Sequence, residues 1–165
     1  MKKTIFSIIA LVLVSVSSFA QEPLLKKGRN TIDAGIGFSS GLSDIVLPPL
    51  TVSYEHVFTT FGNNDCMGVG AGVFGGLMAQ KFYDETFAGG VLCLQGNFHY
   101  SPIAKLDLYT GLHVGYTRVA TSGASAGEST VGYQLGARYF FADSIGGFLQ
   151  FGGFGTINLG VSFKF

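Results

Sequence analysis

The chain is 165 residues long, with ten basic and ten acidic side chains, a formal net charge of zero and charged residues at only 12 %. That share is about half of what soluble globular domains carry, which argues against a surface facing only water, and the lack of a basic patch excludes nucleic acid as a partner. No apolar run beyond the N-terminus reaches the ~20 residues of a helical membrane span. The apolar residues are instead spread in alternation through a single domain rich in glycine, with 25 of them.

The chain opens with Met1, Lys2 and Lys3, an apolar stretch over 4–16, then Ser17, Ser18, Phe19 and Ala20. A positive start, an apolar middle and small residues spaced for cleavage predict a signal peptide over 1–20, removed after Ala20. Loss of Lys2 and Lys3 leaves eight basic against ten acidic residues. Residues 21–29, with Pro23, Lys26 and Lys27, read as a short periplasmic lead-in, and 30–165 as the folded domain.

Strand-like runs follow. Ile32, Ala34, Ile36 and Phe38 alternate with Asp33, Gly35 and Gly37; Leu50, Val52, Tyr54 and Phe58 alternate with Thr51, Ser53 and Glu55. The runs at 67–82 and 144–154 are so glycine-rich that they are read as strands mainly because the others need neighbours. Leu92, Leu94, Phe98 and Tyr100 oppose Cys93, Gln95, Asn97 and His99, and Leu106, Leu108, Leu112, Val114 and Tyr116 oppose Asp107, Tyr109, Gly111, His113 and Gly115. Val131, Tyr133, Leu135, Ala137, Tyr139 and Phe141 oppose Thr130, Gly132, Gln134, Gly136 and Arg138, with a lapse at Phe140. The last run, Ile157, Leu159, Val161, Phe163 and Phe165 against Asn158, Gly160, Ser162 and Lys164, is the cleanest.

Breaks are expected at 40–49, 83–86, 122–128 and 155–156 on one side, and at 59–66, 101–105 and 142–143 on the other. Pro48, Pro49 and Pro102 are assigned to these breaks, where a missing backbone donor does little harm. Asn63, Asn64 and Asp65 read as a turn, and Gly68, Gly70 and Gly72 as strand curvature rather than a nucleotide loop.

Alternation alone fits a soluble barrel too, so the second face decides. It is dominated by Gly, Ser, Thr, Asn and Gln with few charges, a poor exterior in water but a fitting filler for a narrow lumen, while the apolar set suits lipid. The predicted fold is therefore all-β: a closed antiparallel up-and-down transmembrane β-barrel of about eight strands, which leaves no backbone group unpaired in hydrocarbon. Tyr54, Tyr100, Tyr116, Tyr139, Phe58, Phe141 and Phe165 fall near strand ends, where aromatic girdles are expected. A secreted soluble lipocalin-like binding barrel is the alternative fold.

The stretch Asn158-Leu159-Gly160-Val161-Ser162-Phe163-Lys164-Phe165 resembles the C-terminal β-signal of outer-membrane proteins, with Asn158, Gly160, Phe163 and Phe165 in its specified places. The stretch from Gly136 through Arg138, Phe140 and Gly146 to Phe148 is similar to the penultimate hairpin of small proteins with an outer membrane protein beta-barrel domain, or of porin-family proteins. The resemblance implies an outer-membrane location, lipids as surroundings, and periplasmic chaperones and the barrel-assembly machinery as partners in biogenesis. It implies no substrate, because such barrels share architecture more than activity.

By parity the lumen holds Asp33, Glu55, Asp107, Arg138 and Lys164 with Gln95, His113 and Gln134, joined by Asn97, His99, Gln150 and Asn158. In a narrow barrel such groups are expected to pair into a polar plug. Pairing about a turn near Ile103 sets Asp107 opposite His99 and His113 near Cys93. Cys66 and Cys93 are expected to stay unpaired, being too far apart along the sheet for a disulfide. Neither catalytic, metal nor cofactor chemistry is expected. The function read from the sequence is that of a non-enzymatic outer-membrane barrel of a Gram-negative bacterium with a structural or surface-interaction role, its surface partner unidentified; a small porin-like channel is the alternative within the membrane.

Overall fold

The computed structural model describes residues 24–38, 44–82, 85–121, 123–155 and 157–165. The leader expected over 1–20 and the first residues of the lead-in lie outside them, as do parts of the breaks expected at 40–49, 83–86, 122–128 and 155–156. Among the described residues eight strands follow one another: β1 (Asn30–Phe38), β2 (Asp44–Phe61), β3 (Met67–Phe82), β4 (Glu85–Ile103), β5 (Leu106–Ala120), β6 (Ser125–Phe140), β7 (Ile145–Gly152) and β8 (Ile157–Lys164). Each pairs antiparallel with its neighbours in sequence, and β1 pairs with β8, so the sheet closes into an up-and-down barrel. Following partners once around the ring returns to β1 displaced by about ten residues, a shear that tilts the strands roughly 40° from the axis.

The period of two decides which side each residue takes. Tyr133 is 73 % exposed, whereas Arg138 on the opposite face of the same strand is 1 % exposed. On β5 the outward apolar row runs from Leu106 to Tyr116 and stops at Arg118; on β6 it runs from Val131 to Phe141 and is preceded by Ser125, Gly127 and Ser129. Both rows have the ~9–11 residues that a tilted strand needs to cross hydrocarbon.

The inner face explains the glycines. The Tyr109 ring lies over Gly136, the His113 ring over Gly132 and Phe154 over Gly76, so each large inward side chain meets a neighbouring strand that offers no side chain at that height. Elsewhere the limit is backbone itself: a Cβ on Gly115 would run into the Leu92 carbonyl oxygen and the Cys93 Cα. In the glycine-rich β3 the same logic applies, with Gly70 leaving room for Glu55 and His99.

Several expected breaks turn out to be strand. Pro48 and Pro49 lie inside β2, and Pro102 lies inside β4. The sheet tolerates them because the β2–β3 register slips between Ile45 and Leu50, β1 pairs with β2 only as far as Leu50, and the β4–β5 register slips between Tyr100 and Ile103. Ladder hydrogen bonds are already interrupted there. β2 also continues to Phe61, past the expected start of its turn, and a further slip between Val57 and Thr59 leaves both Phe58 and Thr59 exposed and brings Phe61 to the outer face. β6 begins at Ser125, so the break expected over 122–128 is mostly strand paired with β5. The tight turn at 62–66 uses left-handed backbone at Gly62 (φ 85°), Asn64 (φ 56°) and Asp65 (φ 52°), residue types suited to it. Cys66 sits in that turn, Cys93 faces inward opposite Phe74 and Gly115, and both are free thiols.

Gly115→Val is expected to prevent closure of the β4–β5 pair, while Gly96→Val, whose new Cβ would point into open space outside, leaves folding intact. The folded fraction on unboiled SDS gels after refolding into detergent measures both; equal yields would refute the packing argument.

Candidate functional site: a buried charge network across the lumen

Arg138 near the end of β6 reaches across the barrel. Its Nε and Nη2 donate to both carboxylate oxygens of Asp33 on β1 (2.8–3.2 Å), its Nη2 also to Glu55 Oε2 on β2 (2.7 Å), and its Nη1 to Asp107 Oδ2 on β5 (3.3 Å). The guanidinium lies 4.2 Å from the centroid of the Tyr109 ring, a cation–π contact.

Each carboxylate has further donors. Ser162 Oγ on β8 donates to Asp33 at 2.6 Å, and Ser53 Oγ at 3.2 Å. Glu55 Oε1 accepts from Asn97 Nδ2 (2.7 Å) and contacts His99 Nε2 (2.9 Å), whose Nδ1 stands 3.0 Å from Asp107 Oδ1. Asp107 also receives Arg29 Nη2 at 2.8 Å, from the lead-in that folds under this end of the barrel with Leu24 and Leu25 buried. Three carboxylates thus meet two guanidiniums and one imidazole, all essentially out of reach of solvent. With both ring nitrogens of His99 donating, charges balance three against three.

Gln134 extends the network toward the middle by donating to Asn97 Oδ1 (2.7 Å) and Gln95 Oε1 (3.2 Å). Beyond it the lumen turns apolar: Phe74 and Cys93 pack with Phe154, which enters from the connection between β7 and β8. Beside Asp33 a void of about 10 Å³ remains, room for one water at most.

Of the residues assigned to the lumen by parity, Asp33, Glu55, Gln95, Asp107, Gln134 and Arg138 come together here. His113 does not; its ring packs against Phe74 (5.7 Å). Lys164 does not either; it sits at the mouth, with Nζ 4.7 Å from the centroid of Phe140, the apolar side chain that breaks the alternation of β6 and fills that end. The proposed Cys93–His113 pair is corrected by the register: His113 stands opposite Gln95, and Cys93 opposite Gly115. His99 stands opposite Tyr109 and reaches Asp107 along the diagonal. Because the hairpin turns at Ala104 and Lys105 instead of near Ile103, with a one-residue slip before it, the partners move by two positions, an even shift that keeps every inward residue inward. Arg29 was not legible as a member, since nothing in a lead-in marks a side chain that will turn back into the lumen.

Arg138→Met leaves Asp33 without a cation and Glu55 with His99 alone, and is expected to cost about 3–5 kcal/mol, the usual penalty for stranding a buried charge. Arg138→Lys keeps the charge but not the fork, and is expected to lose less. Urea midpoints of the barrel in detergent micelles test the order; an unchanged midpoint for Arg138→Met would show the network to be energetically idle.

No protein-family model and no curated protein matches the chain. Among solved structures it is similar to Ail, the attachment invasion locus protein of Yersinia pestis, in complex with the heparin analogue sucrose octasulfate. That likeness has 12 % identity and a TM-score of 0.55, covering 85 % of this chain and 100 % of that one. A second crystal structure of Ail gives 14 % identity, the same coverage and a TM-score of 0.46. The first of these likenesses is one of fold: both chains form the same kind of small barrel.

Proposed function

We propose that the chain is an integral outer-membrane β-barrel of a Gram-negative bacterium, non-enzymatic, with a closed lumen and a surface-interaction role. The observation that carries this reading is the inversion of a soluble protein: apolar rows of bilayer length face outward, and ion pairs are sealed inside. Tyr100, Tyr139, Phe141 and Phe165 gather at the lead-in end and Tyr116 toward the other, as interfacial girdles do. The packed lumen weighs against a channel, and the apolar exterior against a soluble binder.

The interacting surface in this reading is the taller wall. β2 to β6 outrun β7, β8 and β1, and β6 is paired with β7 only from Gln134 onward, so, among the described residues, 125–133 have a ladder partner on the β5 side alone. The opposite edge, in β2, is interrupted by Pro48 and Pro49, whereas this one contains no proline. An extended partner segment adding to β6 fits an open edge of this kind. The name of Ail, an attachment invasion locus protein, is in keeping with a surface role.

The reading includes Asn158, Gly160, Phe163 and Phe165 as an assembly signal for the barrel-assembly machinery after chaperone transit. Phe163 and Phe165 face outward, Asn158 donates to the Gly152 carbonyl (3.0 Å), and the Phe165 backbone exchanges two hydrogen bonds with Asn30 (2.9 and 3.0 Å).

Protein from the outer-membrane fraction is expected to change mobility between unboiled and boiled SDS samples and to give no discrete conductance in planar bilayers. Recovery in the soluble periplasm without a shift would overturn the membrane reading, and regular conductance steps would convert the barrel into a channel. Phe165→Ala, which keeps the backbone bonds to Asn30, is expected to lower the folded amount in cells several-fold while refolding normally in detergent. Normal cellular levels would dismiss the signal.

A further inference from the structure

At the lead-in end an open cleft of about 650 Å³ lies between the lead-in and the turns joining β4 to β5 and β6 to β7. Its walls are held by backbone hydrogen bonds: Phe140 N–H donates to the Lys105 carbonyl (2.8 Å), Ala142 N–H to that of Ile145 (3.1 Å) and Lys164 N–H to that of Ser144 (2.9 Å). Lys105 and Lys164 border the cleft, and Asp143 is the acidic side chain among its described lining residues. Arg29 also lines it but is committed to Asp107, so Lys105 and Lys164, against Asp143, set the sign of the field.

The outward lip of the cleft is made by Phe141 and Phe165. Phe141 also lines a second hollow, of about 360 Å³, on the outer wall, bounded by Tyr139, Leu149 and Leu159. Its floor is low because Gly147 takes an outward position between Tyr139 of β6 and Val161 of β8. A basic cleft and an apolar groove therefore meet at one phenylalanine, at the place where the outer apolar row of β6 ends.

The geometry points to a site for one glycerophospholipid of net negative charge on the lead-in face. Its phosphate lies against Lys105 and Lys164, and an acyl chain passes over Phe141 into the groove floored by Gly147. This rests on the reading that the barrel spans a membrane, with the lead-in end at the headgroup layer. Contiguity chooses the occupant. A soluble anion would use only the cleft and a neutral lipid only the groove, whereas an anionic lipid satisfies both, with charge attraction added to apolar burial.

The test is native mass spectrometry of the folded barrel in mild detergent, titrated with phosphatidylglycerol or with phosphatidylcholine of the same chains. Wild type is expected to retain one phosphatidylglycerol roughly thirtyfold more tightly than phosphatidylcholine, the ratio that two lysines at about 1 kcal/mol each near a membrane surface provide. Reversing Lys105 and Lys164 to glutamate is expected to abolish the preference; if Lys164→Glu fails to fold, Lys105→Glu at its exposed turn carries the test and should reduce it. Gly147→Leu is expected to fill the groove and weaken retention severalfold without disturbing the sheet, because a Cβ there would meet only the Gly160 carbonyl oxygen at 3.6 Å. Equal retention of the two lipids, a preference that survives charge reversal, retention unchanged in Gly147→Leu, or displacement of phosphatidylglycerol by equimolar inorganic phosphate would each overturn the site. A barrel that shifts on boiling yet shows no preference removes the lipid site alone, whereas a chain that never enters the membrane removes the outer-membrane reading with it.

Discussion

The buried guanidinium of Arg138 is the interaction around which the interior is organised. Moving an ion out of water costs several kcal/mol, recovered only with close counter-ions and filled hydrogen-bonding capacity. Here that requires Asp33, Glu55 and Asp107 from three strands, with Ser162, His99, Asn97 and Arg29 satisfying their remaining oxygens. A one-residue slip in any of these strands would turn its carboxylate toward the apolar exterior, so the network opposes misregister as well as adding contacts. It also ties segments far apart in sequence, as Asp33 and Arg138 are, and so has its full value only once the ring is complete.

Two other constraints follow from that small radius. A narrow lumen cannot hold large side chains at the same height on adjacent strands, and the chain answers with glycine beside Tyr109, His113 and Phe154. The interior is also divided along its axis, ionic toward the lead-in and apolar where Phe74, Cys93 and Phe154 pack. The ionic half contains the groups whose desolvation is most costly, and there Arg29 and the buried Leu24 and Leu25 provide an additional cover.

Much of this was legible because alternation has only two phases. Parity alone separates Asp33, Glu55, Gln95, Asp107, Gln134 and Arg138 from their outward neighbours, and the eight-stranded closed sheet follows from the number of runs. What parity does not encode is register. A turn at Ala104 and Lys105, beyond Ile103, displaced the partners inferred for Cys93, His99 and His113, and the slips in β2 admitted prolines that otherwise signal a break. The start of β6 was hidden for a different reason: Ser125, Ala126, Gly127 and Glu128 have loop-like composition, and the β5 strand beside them supplies the order that their own propensities do not. Lys164 and Arg29 exchanged roles because reach and chain direction at the mouth, rather than alternation, decide which cation enters.

Phe154 bears on the use of this barrel as a scaffold. The connection between β5 and β6 closes on itself, with Thr121 N–H bonded to the Ala124 carbonyl (2.8 Å), and no side chain of the described connection plugs the lumen. A foreign peptide displayed there lengthens a tip and asks nothing of the interior. Spliced into the neighbouring connection between β7 and β8, the same peptide would draw Phe154 away from Phe74 and Gly76, like a cork from a bottle. A display format built on that second tip would carry its epitope at the expense of the apolar half of the plug.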